Sequence, residues 1–260
     1  MTQQNATDHL SWWAAQLRLT AFPSPATPLG LPENWWQDVV GEAPETVTLQ
    51  RKEAGLQERG RFAGRQLELK VVPGRIDWEF NPIEDEREDW EINGISTTGP
   101  FQEALSAFLP RVHNWFQLET CPPVRRLAFG AVLVSRVDNR QEGYRQLAAY
   151  LRRYVLLDPE NSSDFLYQIN RPRASASGIE GLAINRLSKW SVGVLRMGRF
   201  AFGRTAIEPH ILSVKHTCRL ELDINTNAEY PGELDQQQMA LVLNELVRLG
   251  EEISREGDIP

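Results

Sequence analysis

Cysteine is nearly missing from this chain. Two thiols, Cys121 and Cys218, in 260 residues are too few for a disulfide framework. They read as reduced, buried side chains. Histidine is scarce too, at four. Neither Cys-x-x-Cys nor His-Glu-x-x-His spacing occurs, so no metal centre is expected around His113, His210, His216 or Cys218. A Gly-x-Ser-x-Gly elbow and a dinucleotide fingerprint are both absent, which argues against an esterase-type hydrolase and against nicotinamide or flavin chemistry. No cofactor is expected. No apolar run approaches bilayer length, which excludes a spanning helix. The start, Met1-Thr2-Gln3-Gln4-Asn5, is polar and opens no secretory signal, so a cytoplasmic protein is expected.

What remains is an ordinary globular composition, 41% apolar and 24% charged, with eight tryptophans to fill a core. The net charge is −7, unevenly placed. From Arg125 to Arg204 basic residues outnumber acidic ones by about two to one. Acid is densest in Glu84-Asp85-Glu86 and Glu88-Asp89.

A short phrase occurs twice. Gly60-Arg61-Phe62-Ala63-Gly64-Arg65 comes first and Gly198-Arg199-Phe200-Ala201-Phe202-Gly203-Arg204 second. A strand-like run follows each copy: Arg75-Ile76-Asp77-Trp78-Glu79-Phe80, then Arg219-Leu220-Glu221-Leu222-Asp223-Ile224. Both runs read arginine, apolar, acid, apolar, acid, apolar. The offsets, 138 residues for the phrases and 144 for the runs, differ by a small insertion. The pattern is read as the trace of two similar halves.

The elements follow from periodicity and punctuation. Trp13 to Ala21 alternates as a strand and ends at Pro23. Pro32-Glu33 opens a short helix stopped by Gly41. Four strands come next, Glu45–Glu53, Leu56–Phe62, Gln66–Val72 and Arg75–Phe80, spaced for hairpins. Phe101 to Leu118 is a helix that Pro110 should kink or split. The second half begins with strand Leu127–Val137 and helix Gln141–Tyr154. Strands Phe165–Asn170, Leu182–Leu187, Trp190–Met197 and Ile211–Ile224 and helix Leu234–Ser254 complete it.

The expectation is an α+β fold of two pseudo-repeated halves, 1–120 and 121–260, packed as one body. Each half would run strand, helix, about four antiparallel strands, helix, with the helices on one face of the sheet. This order resembles the TATA-binding-protein type of fold, a likeness of topology that carries no activity. The chain is also similar to a sporadically distributed family of uncharacterised bacterial proteins of this length. The resemblance rests on Leu17-Arg18-Leu19-Thr20-Ala21-Phe22-Pro23, on Arg126-Leu127-Ala128-Phe129 and on Leu222-Asp223-Ile224. Where that family's central strand continues into Tyr-x-Asn-Arg, this chain has Val134-Ser135-Arg136. The resemblance implies a bacterial source and supplies no site residues.

Three sets of residues could carry function. Arg75, Asp77, Glu79 and Arg219, Glu221, Asp223, joined by Glu68 and Lys70, would line one side of each sheet. Such a charged groove could take a cation, or a phosphate on its arginines, as in a metal-dependent enzyme on a phosphorylated small molecule. Its bland counterpart is a solvated face of cross-strand ion pairs. Arg61, Phe62, Arg65, Arg199, Phe200 and Arg204 could present two basic, aromatic tips to nucleic acid, though the net charge opposes a polyanion. Glycine turns with solubilising arginines explain the same residues. Arg171 and Arg173, in a loop of small residues, could dock a partner or merely connect strands. With no catalytic constellation, the leading expectation is a non-enzymatic protein-binding or adaptor protein. Its partner would be another protein rather than a membrane, and a bacterial defence or toxin-linked system is a conceivable setting.

Overall fold

The computed structural model describes residues 10–24, 30–50, 54–83, 91–92, 94–202 and 207–260, without the side chains of 50, 91 and 196–213. The first strand, β1 (Trp13–Pro23), leads to a short helix α1 (Trp35–Val40), which Gly41 stops at φ 90°. Strands β2 (Thr46–Gln50), β3 (Gly55–Phe62), β4 (Arg65–Val72) and β5 (Arg75–Asn81) form successive hairpins. Ala63 and Gly64 both take positive φ, 51° and 70°. That is the two-residue turn whose twist suits a hairpin. A small ribbon, β6 (Glu91–Ile92) with β7 (Ile95–Ser96), precedes α2 (Phe101–Phe116).

The chain then enters β8 (Val124–Val137) and α3 (Arg140–Leu151), whose N-cap Asn139 accepts from the Glu142 amide. Next come β9 (Leu166–Asn170), β10 (Arg173–Ala174), β11 (Ala183–Phe202) and β12 (Ile207–Thr226). The last helix, α4 (Gln236–Glu256), opens on a capping box of Asp235 and Gln238.

All strands but β6 and β7 join one antiparallel sheet. Its order is β10-β11-β12-β8-β1-β5-β4-β3-β2, with β9 also on β11. β1 and β8 are therefore the central pair, bordered by β5 and by β12. The fold is α+β, with a large antiparallel sheet and four helices among the described residues.

One alternation of side chains faces the helices. Leu17 and Leu19 of β1, Ile76, Trp78 and Phe80 of β5, and Phe129 and Leu133 of β8 are buried there, as are Leu220, Leu222 and Ile224 of β12. Met239, Leu243, Leu246 and Leu249, the stripe of α4, pack into the same core. Burying each such side chain contributes about 1.5–3 kcal/mol. Aromatics knit the layers: Trp36 stacks on Trp78 with centroids 6.2 Å apart, and Phe80 on Phe108 at 5.8 Å.

Two elements differ from the periodicity reading. The expected strands Leu182–Leu187 and Trp190–Met197 merge into one strand of 20 residues, β11, which begins at Ala183. Ser188, on the helix-facing alternation and buried, bridges the two apolar stretches. Helix α2 passes through Pro110 as one element rather than two. Pro110 is exposed, so water can satisfy the carbonyl that its missing N–H leaves free. No helix among the described residues is long and apolar enough to cross a membrane.

Candidate functional site

The other alternation of side chains points away from the helices, and register decides what meets there. One row runs across eight strands: Arg59, Glu68, Glu79, Arg18, Gly130, Asp223, Leu187, Asn170. The charged residues of both runs thus share a single sheet face, separated by β1 and β8.

On the β5 side the charges close on one another. Arg75 donates through Nε and Nη2 to the Asp77 carboxylate at 2.7 and 3.0 Å, and Thr20 Oγ1 donates to it at 2.6 Å. Glu68 accepts from Gln57 at 2.8 Å and pairs with Lys70 at 2.9 Å and Arg59 at 3.1 Å. Burial pushes the Glu68 carboxyl up, but Lys70 and Arg59 outweigh it and hold the group below the usual carboxylate range. Glu79 receives one long contact, from Gln16 at 3.5 Å.

On the β12 side Glu221 accepts from Arg219 at 2.8 Å and from Lys189 at 3.2 Å. Burial raises its carboxyl, and the two cations more than reverse the shift. Asp223 accepts from the Asn225 amide through Oδ1 at 2.9 Å. Between these residues and β1 the face sinks into a concavity of about 410 Å³, lined among others by Gln16, Arg18, Val132, Gln168, Lys189 and Asp223. Arg18 lies half-buried over Gly130, and among the described residues it makes no hydrogen bond or ion pair. Charge is balanced around it, so the site suits a ligand that both accepts and donates hydrogen bonds.

The first Arg-Phe phrase forms the β3–β4 hairpin, and most of it turns inward. Arg65 is buried and donates to the carbonyls of Thr98 and Ala63. Phe62 packs against the core, with the Arg111 guanidinium 4.7 Å above its ring. Arg61 stays more than half exposed, 3.8 Å from Glu45. In the second phrase Arg199 and Phe200 lie on β11, but their side chains are outside the described residues, as is Arg204 altogether. The acidic stretch around Asp85 also falls outside them.

The loop of small residues is docked. Arg171 forms a two-pronged pair with Asp258 and lies 4.3 Å from the Tyr154 ring. Arg173 is 3.9 Å from Glu245, a buried α4 carboxylate that accepts from Ser175 Oγ at 2.6 Å and the Ala176 amide at 2.8 Å. Cys121 and Cys218 are buried, and burial pushes both thiols up to about 12, which leaves them unreactive at neutral pH.

Arg18 and Gly130 escaped the motif search. Each left a trace: Arg18 is the lone charge in Leu17-Arg18-Leu19, and Gly130 interrupts an apolar strand. Their meeting depends on the β1–β8 register, which neither segment encodes by itself. No protein-family model, curated protein or solved structure matches the chain.

Proposed function

We propose that this protein is a non-enzymatic binding or adaptor protein whose working surface is the sheet face opposite its helices, and whose partner is another protein. One observation carries the reading. The helix-facing side of the sheet is sealed by aromatic and aliphatic packing, while the opposite side presents ordered charges and a concavity, with the β6–β7 ribbon against β8. Fixed rows of paired charges give a surface specificity and register for a partner of complementary charge. A cytoplasmic, bacterial setting in a defence or toxin-linked system belongs to the same proposal.

The scaffold is read as two copies of one unit, packed as one body in the TATA-binding-protein manner. Register supports this. Arg18 and Gly130 oppose each other in the central pair, Glu79 flanks Arg18, and Asp223 flanks Gly130. Glu79 and Asp223 hold the same place in their runs, so a twofold axis through the Arg18–Gly130 pair relates β5 to β12. The nucleic-acid alternative draws less support, since Phe62 and Arg65 are engaged in packing.

A photo-crosslinking amino acid placed at Thr48 or Gln168 on the open face, or at Leu241 on α4, tests the proposal in cells. The expected result is a protein adduct from the open-face positions only, lost on Glu79→Lys. Adducts from Leu241 alone, or turnover of a substrate by the isolated chain, would overturn it.

A further inference from the structure

We propose that the concavity over Gly130 binds a small carboxylate bearing a hydrogen-bond donor next to its carboxyl group: an α-amino or α-hydroxy acid by chemical class. The starting point is a glycine where none is needed. Gly130 sits inside β8, and its φ is not in the left-handed region. A Cβ there would meet only ordinary contacts, at 3.5 and 3.6 Å from Arg18 Nη2 and Nε and 3.7 Å from the Leu222 carbonyl oxygen. Glycine weakens a strand interior, and here it leaves the space above the strand to a neighbouring side chain. That side chain is Arg18.

The register pairs Arg18 with Glu79 on one side and Gly130 on the other. Arg18 makes no ion pair with Glu79, and its guanidinium lies over Gly130 toward β12. It is the one cation lining the concavity without a carboxylate partner among the described residues, because Lys189 is held by Glu221. A guanidinium so placed offers the planar two-donor fork that carboxylates fit. One strand further on, Asp223 accepts from Asn225 through Oδ1 only, and Oδ2 has no partner among the described residues.

A donor on one side of a glycine gap and an acceptor on the other define the ligand. Its carboxylate meets Arg18, and the adjacent amine or hydroxyl donates to Asp223. The nearby carboxylates of Glu221 and Asp223 disfavour a bare polyanion such as phosphate. The site shares the face assigned to the protein partner but does not depend on it. Failed ligand binding leaves the adaptor reading standing, and a failed crosslink leaves the pocket standing.

The test uses the full chain in calorimetric titration and thermal-shift assays against a panel of α-amino and α-hydroxy acids, with acetate and inorganic phosphate as controls. The expected result is a panel member that binds and raises Tm, weakened at least about tenfold by Arg18→Gln, as loss of a charge-assisted pair implies. Gly130→Val should abolish binding while keeping the fold, because it adds a strand-favouring side chain where the guanidinium lies. Three results would overturn the proposal: no panel member binds, binding survives Gly130→Val, or acetate or phosphate binds as tightly as the best panel member.

Discussion

Strands β5 and β12 carry the same alternation of arginine, apolar residue and acid, yet the middle acids have different lives. Asp77 is buried, clamped by Arg75 and Thr20. Glu221, with its side chain 32% exposed, stands on the rim of a concavity between Arg219 and Lys189. The runs themselves do not explain this. Their neighbours do: β1 sets Thr20 against Asp77 and Arg18 against Glu79, whereas β8 sets Val132 against Glu221 and Gly130 against Asp223. The strand with small open-face residues leaves a hollow, and the strand with polar ones fills its side. A charged strand is therefore closed or available according to what the adjacent strand places beside it.

The largest effect that separates the two sides should come from removing the middle acids. Asp77→Ala leaves the buried Thr20 hydroxyl without its acceptor and the partly exposed Arg75 without its partner, and is expected to cost about 1–2 kcal/mol. Glu221→Ala, on a wetter site, is expected to cost no more than about 1 kcal/mol. Urea unfolding of both variants measures this, and equal losses would break the comparison. At the neighbouring positions, Thr20→Val should cost about 1 kcal/mol, since it deletes a buried hydrogen bond. Val132→Thr should lie within about 0.5 kcal/mol of the parent, because Val132 is half-buried beside a hollow.

Acid titration sharpens the contrast. Glu68 and Glu221 both have folded-state values below the ordinary 4.5, so their contribution is fully present above that pH. It is lost as pH falls through the lowered values. Glu68→Gln should flatten the acid limb of stability more than Glu221→Gln, because the Glu68 side chain is 4% exposed against 32%. Glu58 supplies the opposite sign. It lies on the helix-facing alternation of β3, beside Leu69 of β4, and burial pushes its carboxyl above 4.5. Its protonated form favours the fold, and that contribution disappears as pH rises through the raised value. Glu58→Gln should therefore gain about 0.5–1 kcal/mol at neutral pH and nothing in acid.

Much of the fold was legible because short-range rules were consistent. Pro73-Gly74, Ala63-Gly64 and Gly41 each mark a turn or a helix end, and the structure has one at each. The spacing of Met239, Leu243, Leu246 and Leu249 announced α4. Alternation also told which residues of β5 and β12 share a face. The site was less legible. Arg65 and Phe62 read as exposed tips, since a hairpin does not disclose which of its residues turn under the sheet edge. From sequence Arg171 and Arg173 could dock a partner or merely connect strands, since Asp258 and Glu245, which they meet in the fold, lie more than 70 residues further along.

The sequence by itself determined the elements, their ends and the charged alternation, because these depend on backbone preferences and periodicity over a few residues. Only the tertiary structure decided that Arg18 lies across Gly130, that the two charged runs look out on the same side, and that one of them borders a hollow. Each of those depends on strand order and register, and register is set by contacts between segments about 60–120 residues apart.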